Sequence, residues 1–140
     1  VSTNVGEEPK PLAKIASGGE LSRIMLAMKN VLADKDQVGT MIFDEIDTGV
    51  SGRAAQKIGR KLHEVSRGRQ VICVTHLAQV AAFADHHLLI SKNVLEGKTY
   101  TTVKPLTASD RVKELARIMG GDVVTSATLN AAEELLEKSK

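Results

Sequence analysis

The sequence predicts an α/β fold, mainly a parallel sheet with flanking helices and a β-hairpin. Two observations carry the sheet: "TMIF" and "QVICV" are short apolar runs, each cut off by polar residues, and a segment of helical period lies between them. A third carries the hairpin, because β-prone runs flank Glu96-Gly97, a turn signal.

The opening "VSTNVGEEPKPLAKIA" reads as an extended start with a Pro-containing loop, worded like the middle of a chain, so an excised fragment is expected. From Ser17 onward Leu21, Ile24, Met25, Met28, Val31 and Leu32 recur at helical spacing and give one oily face. Residues 34–39 end that helix. Thr40 to Phe43 then form a strand of the buried parallel kind, with Asp44 and Glu45 at its carboxyl end. After the turn "DTGVSG", Ser51 is placed to cap a second helix whose apolar positions are Ala54, Ala55, Ile58, Leu62 and Val65, and Gly68 stops it. "QVICVTH" repeats the strand design and ends on Thr75 and His76. A strand, helix and strand in this order make a βαβ unit, whose right-handed crossover sets Asp44, Glu45 and His76 along one carboxyl edge, where open α/β sheets bind ligands. Leu77 to Ala84 reads as a short helix packing Leu77, Val80, Ala81 and Ala84. "HLLISK" and "KTYTTVKPL" are the hairpin strands. Ser109 is expected to cap a helix through Met119 that Gly120-Gly121 end, and a last charged helix starts near Thr125 or Ser126.

Composition narrows the function classes. A chain of 140 residues, 42% of them hydrophobic, has material for one domain and a core. With aromatic residues at 2% and no Trp, the core is aliphatic and few rings remain on which bases could stack. The balance of 19 Lys and Arg against 17 Asp and Glu, net +2, is far from that of a dedicated DNA-binding module. The single Cys73 excludes a disulfide or a multi-cysteine zinc site within the chain and fits a reducing cytoplasm. No apolar stretch is long enough to span a bilayer and no signal-peptide pattern opens the chain, so a soluble protein without a membrane partner is expected.

Three places could do chemistry, and each has a plainer reading. Asp44-Glu45 is either an exposed strand end or a Walker B element, in which the first acid helps hold Mg²⁺ and the second orients or deprotonates an attacking water. Neighbours on a strand point to opposite sides, which suits two different jobs. His76 is either a satisfied, partly buried histidine or a donor to a γ-phosphate oxygen. "SGGE", Ser17 to Glu20, is either a capped helix start or an anion site, where glycines let backbone N–H groups approach a phosphate and the helix N-terminus favours its charge. His63, His86 and His87 have no third ligand at metal spacing and read as structural or solvated.

In order, "SGGE" before a helix, "MIFDE", "DTGVS" and "VICVTH" resemble the C-terminal half of an ABC-type ATPase head of the SMC kind. The wording of "PLAKIASGGELSRIMLAMK", "IFDEIDTGVSGRAAQKIG" and "VTHLAQVAAFADHHLLISK" is similar, more narrowly, to bacterial DNA-repair members of that group, and the likeness covers essentially residues 1–140. The resemblance implies that Ser17, Gly18, Gly19 and Glu20 are the signature element, engaging the γ-phosphate of ATP held by a partner head. It implies that Asp44 is the Walker B magnesium residue, Glu45 the catalytic base, His76 the switch residue, and Thr48, Gly49, Val50 and Ser51 the D-loop at a dimer interface. Ser51 stands where many ABC proteins have Asp, and it doubles as the candidate cap.

No G-x-x-x-x-G-K-[ST] occurs in the chain, so the loop that cradles phosphates is missing. The resemblance implies that this Walker A motif lies in an N-terminal lobe separated by a coiled coil, and that two heads of a homodimer sandwich ATP and Mg²⁺ between them. Activity is then expected only of the whole protein, in DNA double-strand-break repair and recombination, at a cytoplasmic, nucleoid-associated address. Without the other lobe, apolar sheet surface should be exposed. Three alternatives stand beside this reading: a lobe of another chromosome-maintenance or recombination ATPase, a non-catalytic dimerisation or DNA-binding module that keeps the motifs as scaffold, and an unrelated α/β domain binding some other anion, which would make the order of the four motifs a coincidence.

Overall fold

The computed structural model describes residues 16–32 and 37–140, together with residues 6, 8 and 11. The expected extended start and its Pro-containing loop fall almost wholly outside the described residues, as does part of the 34–39 segment. Helix α1 runs Gly18–Val31, strand β1 Thr40–Phe43, α2 Gly52–Val65, β2 Gln70–Cys73 and α3 Ala78–Ala81. They are followed by β3 Leu88–Leu95, β4 Lys98–Pro105, α4 Ala108–Gly120 and α5 Ser126–Lys138.

Strands β1 and β2 pair in parallel, from Thr40 opposite Gln70 to Phe43 opposite Cys73, with α2 as the crossover. Among the described residues this is the whole parallel sheet, so the βαβ unit is a two-stranded core element. Because side chains alternate along a strand, Met41 and Phe43 point into the core while Ile42 faces out, 70% exposed. Its register partner Ile72 is exposed on the same face, and Val74 follows it. The buried face packs with Leu26 of α1, Ala55, Ile58, Leu62 and Val65 of α2, Ile46 and Val80. A second cluster joins Ala78, Ala81 and Ala82 to Leu115 and Ala116 of α4 and Ala132 of α5.

The stripe that the periodicity marks on α1 is not the face the described core covers. Leu26 is buried, whereas Leu21, Ile24, Met25, Met28, Val31 and Leu32 are exposed. The short α3 also differs from expectation: Ala78 and Ala82 are buried with Val80 and Ala81, and Ala84 is outside.

The hairpin turns on Glu96 and Gly97, both at positive φ (49° and 74°), as a two-residue turn matching the strands' right-handed twist requires. Thr107, rather than Ser109, caps α4. Its extended backbone (φ −70°, ψ 167°) lets its hydroxyl accept from the Asp110 N–H at 3.2 Å, and Ser109 lies inside the first turn. Gly121 ends that helix at φ 80°, and Thr125 caps α5 in a reciprocal pair with Thr128.

Candidate functional site

The site is assembled on the carboxyl edge of the β1–β2 pair. Val74 N–H donates to the Phe43 carbonyl at 2.9 Å, so the chain leaves both strands in step, towards Asp44-Glu45 on one side and Thr75-His76 on the other. The Asp44 carboxylate accepts the Glu45 N–H on Oδ1 at 2.9 Å. Its other oxygen has no hydrogen bond among the described residues, and the side chain is exposed.

Glu45 has φ of 57°, in the left-handed region that a residue with a side chain enters at a cost of about 1 kcal/mol or more. A tight turn holds it there, with Thr48 N–H donating to the Glu45 carbonyl at 3.0 Å. The first turn of α1 lies directly against this turn. A Cβ on Gly18 would stand 2.6 Å from Glu45 Oε2, and one on Gly19 would stand 2.8 Å from the Glu45 carbonyl oxygen. The paired glycines therefore have a structural reason in this chain: they let a helix N-terminus abut the acidic turn. Ser22 and Arg23 fasten the two. Ser22 Oγ donates to the Asp44 carbonyl at 3.0 Å, and Arg23 Nη1 donates to the carbonyls of Ile46 at 3.1 Å and Thr48 at 2.8 Å.

Ser17 closes a capping box. Its hydroxyl accepts from Glu20 N–H at 3.4 Å and donates to Glu20 Oε2 at 2.8 Å, and its own N–H donates to the same oxygen at 2.8 Å. These bonds hold the Glu20 carboxyl below its usual range, the backbone bond from Ser17 first and the hydroxyl second. The capping reading of "SGGE" is thus realised, and an anion at this helix end would compete with Glu20 for the Ser17 hydroxyl.

Of the segment 48–51, Thr48, Gly49 and Ser51 are exposed and Val50 packs partly against the core. Gly49 takes φ of 74°. Ser51 occupies the cap position of α2 without a side-chain cap bond; its carbonyl instead accepts from the N–H groups of Ala54 and Ala55.

Asp47, which none of the sequence motifs singles out as a site residue, sits at the centre of the cluster. Its carboxylate is only 3% exposed, and Oδ2 accepts from Thr75 Oγ1 at 2.5 Å and His76 N–H at 3.0 Å, with His76 Nδ1 at 3.2 Å. The imidazole itself is 71% exposed. Asp47 had one available signal: an acid set between Ile46 and a Thr-Gly turn, opposite a strand that ends in two donors. Nearby, burial and, after it, the charges of Asp47 and Asp44 push the Cys73 thiol up to about 12, so it is no nucleophile at neutral pH.

Among the described residues no three His, Cys, Asp or Glu side chains could enclose a metal ion. The one outward oxygen of Asp44 does fit Mg²⁺, which keeps several waters and takes one or two carboxylates plus phosphate oxygens rather than a protein cage. His63 approaches Asp85 at 4.0 Å and His87 is partly buried; neither lies in the site.

No family model matches the chain. It is 53% identical over 139 residues to the DNA repair protein RecN of Bacillus subtilis, covering 99% of this chain and 24% of that protein. It is 48% identical to RecN of Treponema pallidum over 136 residues and 45% identical to RecN of Haemophilus influenzae over 135 residues, again covering 24% of each. The chain thus spans about a quarter of the length of the curated relatives it matches. Among solved structures, an SMC ATPase described in terms of ATP-driven dimerisation and DNA-stimulated activation superposes with a TM-score of 0.55 at 23% identity, covering 84% of this chain and 70% of that one. That likeness is one of fold.

Proposed function

This chain is homologous to the RecN proteins over nearly its whole length, and on that premise we propose that it is one lobe of an SMC-like ATPase head. In this reading ATP binding and hydrolysis at a head dimer serve DNA double-strand-break repair and recombination in the bacterial cytoplasm, at the nucleoid. The observation that carries it is the convergence on one sheet edge of an N-capped glycine helix, a strand-end acid pair and an exposed histidine, in the order of signature, Walker B and switch motifs.

Each residue then has a task its geometry permits. Asp44 directs its outward oxygen to Mg²⁺, and the ion, when bound with ATP, neutralises charge on the phosphates. Glu45 accepts the proton of the attacking water as the water oxygen bonds to the γ-phosphorus and the bond from that phosphorus to the β–γ bridging oxygen breaks, releasing ADP. His76 reaches from the neighbouring strand end to hydrogen-bond a γ-phosphate oxygen. Ser17, Gly18 and Gly19 present a helix N-terminus to ATP on the opposite head, with the Ser17 hydroxyl turning away from Glu20 to donate. Residues 48–51 serve as the D-loop between the heads.

Since the chain has no Walker A sequence, the reading requires a Walker A lobe from elsewhere in the protein. The bare apolar faces of β1–β2 and α1 support one, because both are laid out for burial and the described core does not cover them. No helix among the described residues is long and apolar enough to cross a membrane. The test is hydrolysis by this chain alone and mixed with a lobe bearing Walker A. Activity is expected only in the mixture, and Glu45→Gln should preserve ATP-driven association while lowering turnover by about 100-fold or more. A complex that forms but never hydrolyses ATP would favour the scaffold module instead.

A further inference from the structure

We propose that Asp47 is a positioning residue for His76: it selects the imidazole's Nδ1–H form and turns Nε2 outward, towards the reacting phosphate. The proposal rests on the role assigned to His76 above, but its structural half stands apart from that role.

Two donors and a ring nitrogen converge on one oxygen. Thr75 Oγ1, His76 N–H and His76 Nδ1 all lie within 3.2 Å of Asp47 Oδ2. Thr75 Oγ1 in turn accepts from Leu77 N–H at 3.1 Å, so the turn that leaves β2 is clamped over three consecutive residues. The backbone bond to His76 holds its Cα, and the contact at Nδ1 holds its ring. A carboxylate this deeply buried is held by its donors, since an unpaired one would be costly in such a place. At 3.2 Å from a carboxylate oxygen that accepts hydrogen bonds, Nδ1 is the ring nitrogen favoured to carry the hydrogen. In neutral imidazole the other nitrogen, Nε2, is then an acceptor, and a proton taken up there makes a donor with its direction already set. A histidine side chain in water favours the opposite form, with hydrogen on Nε2, so the bias has to come from Asp47. Asp47 also belongs to the turn of Glu45, whose carbonyl accepts from Thr48 N–H, and Val50 N–H donates to the Asp47 carbonyl at 3.3 Å. A single carboxylate therefore ties the acidic turn and the start of segment 48–51 to the orientation of the histidine.

The experiment is a long-range ¹H–¹⁵N correlation spectrum of the His76 imidazole in this chain, at about pH 8.5 where an ordinary imidazole is neutral. The wild-type ring should show the Nδ1–H pattern, and a dominant Nε2–H pattern there overturns the proposal without recourse to any variant. Asp47→Ala should move the ring to the Nε2–H form; if that variant does not fold, Thr75→Val leaves the carboxylate in place and should keep the Nδ1–H form. The catalytic half uses the chain complemented with a Walker A lobe. Asp47→Asn keeps an oxygen for the turn but removes the charge, and should lower kcat about 10-fold with little change in KM. Unchanged kcat in Asp47→Asn, where His76→Ala is impaired, overturns the positioning role. Unchanged kcat in both counts against the task given to His76, and the tautomer spectrum alone then decides for or against Asp47.

Discussion

Gly18 and Gly19 both approach Glu45 too closely for a side chain, yet the two approaches differ in kind. The methyl of Gly18→Ala meets the far end of a flexible carboxylate, which can swing aside, whereas that of Gly19→Ala meets a backbone carbonyl oxygen at 2.8 Å with Thr48 Cβ at 3.1 Å behind it. Gly18→Ala should therefore melt near the wild type, and Gly19→Ala should lose about 1–3 kcal/mol in thermal unfolding. His87 makes a pH prediction. Burial and, after it, the Arg111 charge lower its pKa from 6.5, against an opposing pull from Glu114, and its Nδ1 is buried without a partner among the described residues. A histidine kept neutral in the fold binds protons more readily when unfolded, so stability is full above pH 6.5 and falls as pH drops from there towards the lowered folded value. His87→Gln should flatten that fall in denaturant titrations between about pH 7 and 5.

Helix packing turns on a third glycine. Gly59 faces α3 from the middle of α2, and a Cβ there would stand 2.5 Å from the Phe83 ring and 3.1 Å from the Gln79 carbonyl. Gly→Ala inside a helix ordinarily gains about 1 kcal/mol, but here the crossing must widen. A net loss of about 1–3 kcal/mol is expected for Gly59→Ala, read from the shift in denaturation midpoint. Downstream, α4 is bound to the end of α3 by Arg111, whose Nη2 donates to the carbonyls of Ala81 at 3.1 Å and Ala82 at 2.7 Å. The residue after α5 closes on the Ala82 carbonyl as well, through Ser139 Oγ at 2.9 Å.

Taken together, the described residues form a core with one side covered. Met41 and Phe43 are sealed beneath the sheet while Ile42, Ile72 and Val74 are bare above it, as is the apolar stripe of α1. Such a surface should drive association when the chain is alone. Sedimentation velocity should show concentration-dependent assembly, which Ile42→Thr with Ile72→Thr reduces while thermal stability stays within about 0.5 kcal/mol, as expected for exposed positions. Assembly unaffected by the pair would assign it to another surface. The same pair should weaken binding of a Walker A lobe, linking this surface to the proposed split head.

Legible in the amino-acid sequence alone were the order of elements, the two strand ends that carry Asp44-Glu45 and Thr75-His76, the hairpin turn at Glu96-Gly97, and the cap at Ser17. Each depends on a local signal: the 3.6-residue period, a short apolar run, a turn pair, a hydroxyl before a helix. The cap of α4 was legible too, since Thr107 precedes Asp110 by three residues, but Ser109 competed for the role. Three-dimensional packing had to settle which face of α1 is covered, why Gly19, set against the Glu45 carbonyl, resists replacement while Gly18 meets only a movable carboxylate, and that Asp47 rather than its exposed neighbours is the buried carboxylate. Those features arise where residues far apart in the chain meet, as Gly19 meets Glu45 and Asp47 meets His76. A local pattern reports which side chains favour burial, but which of them find a partner is settled by long-range packing.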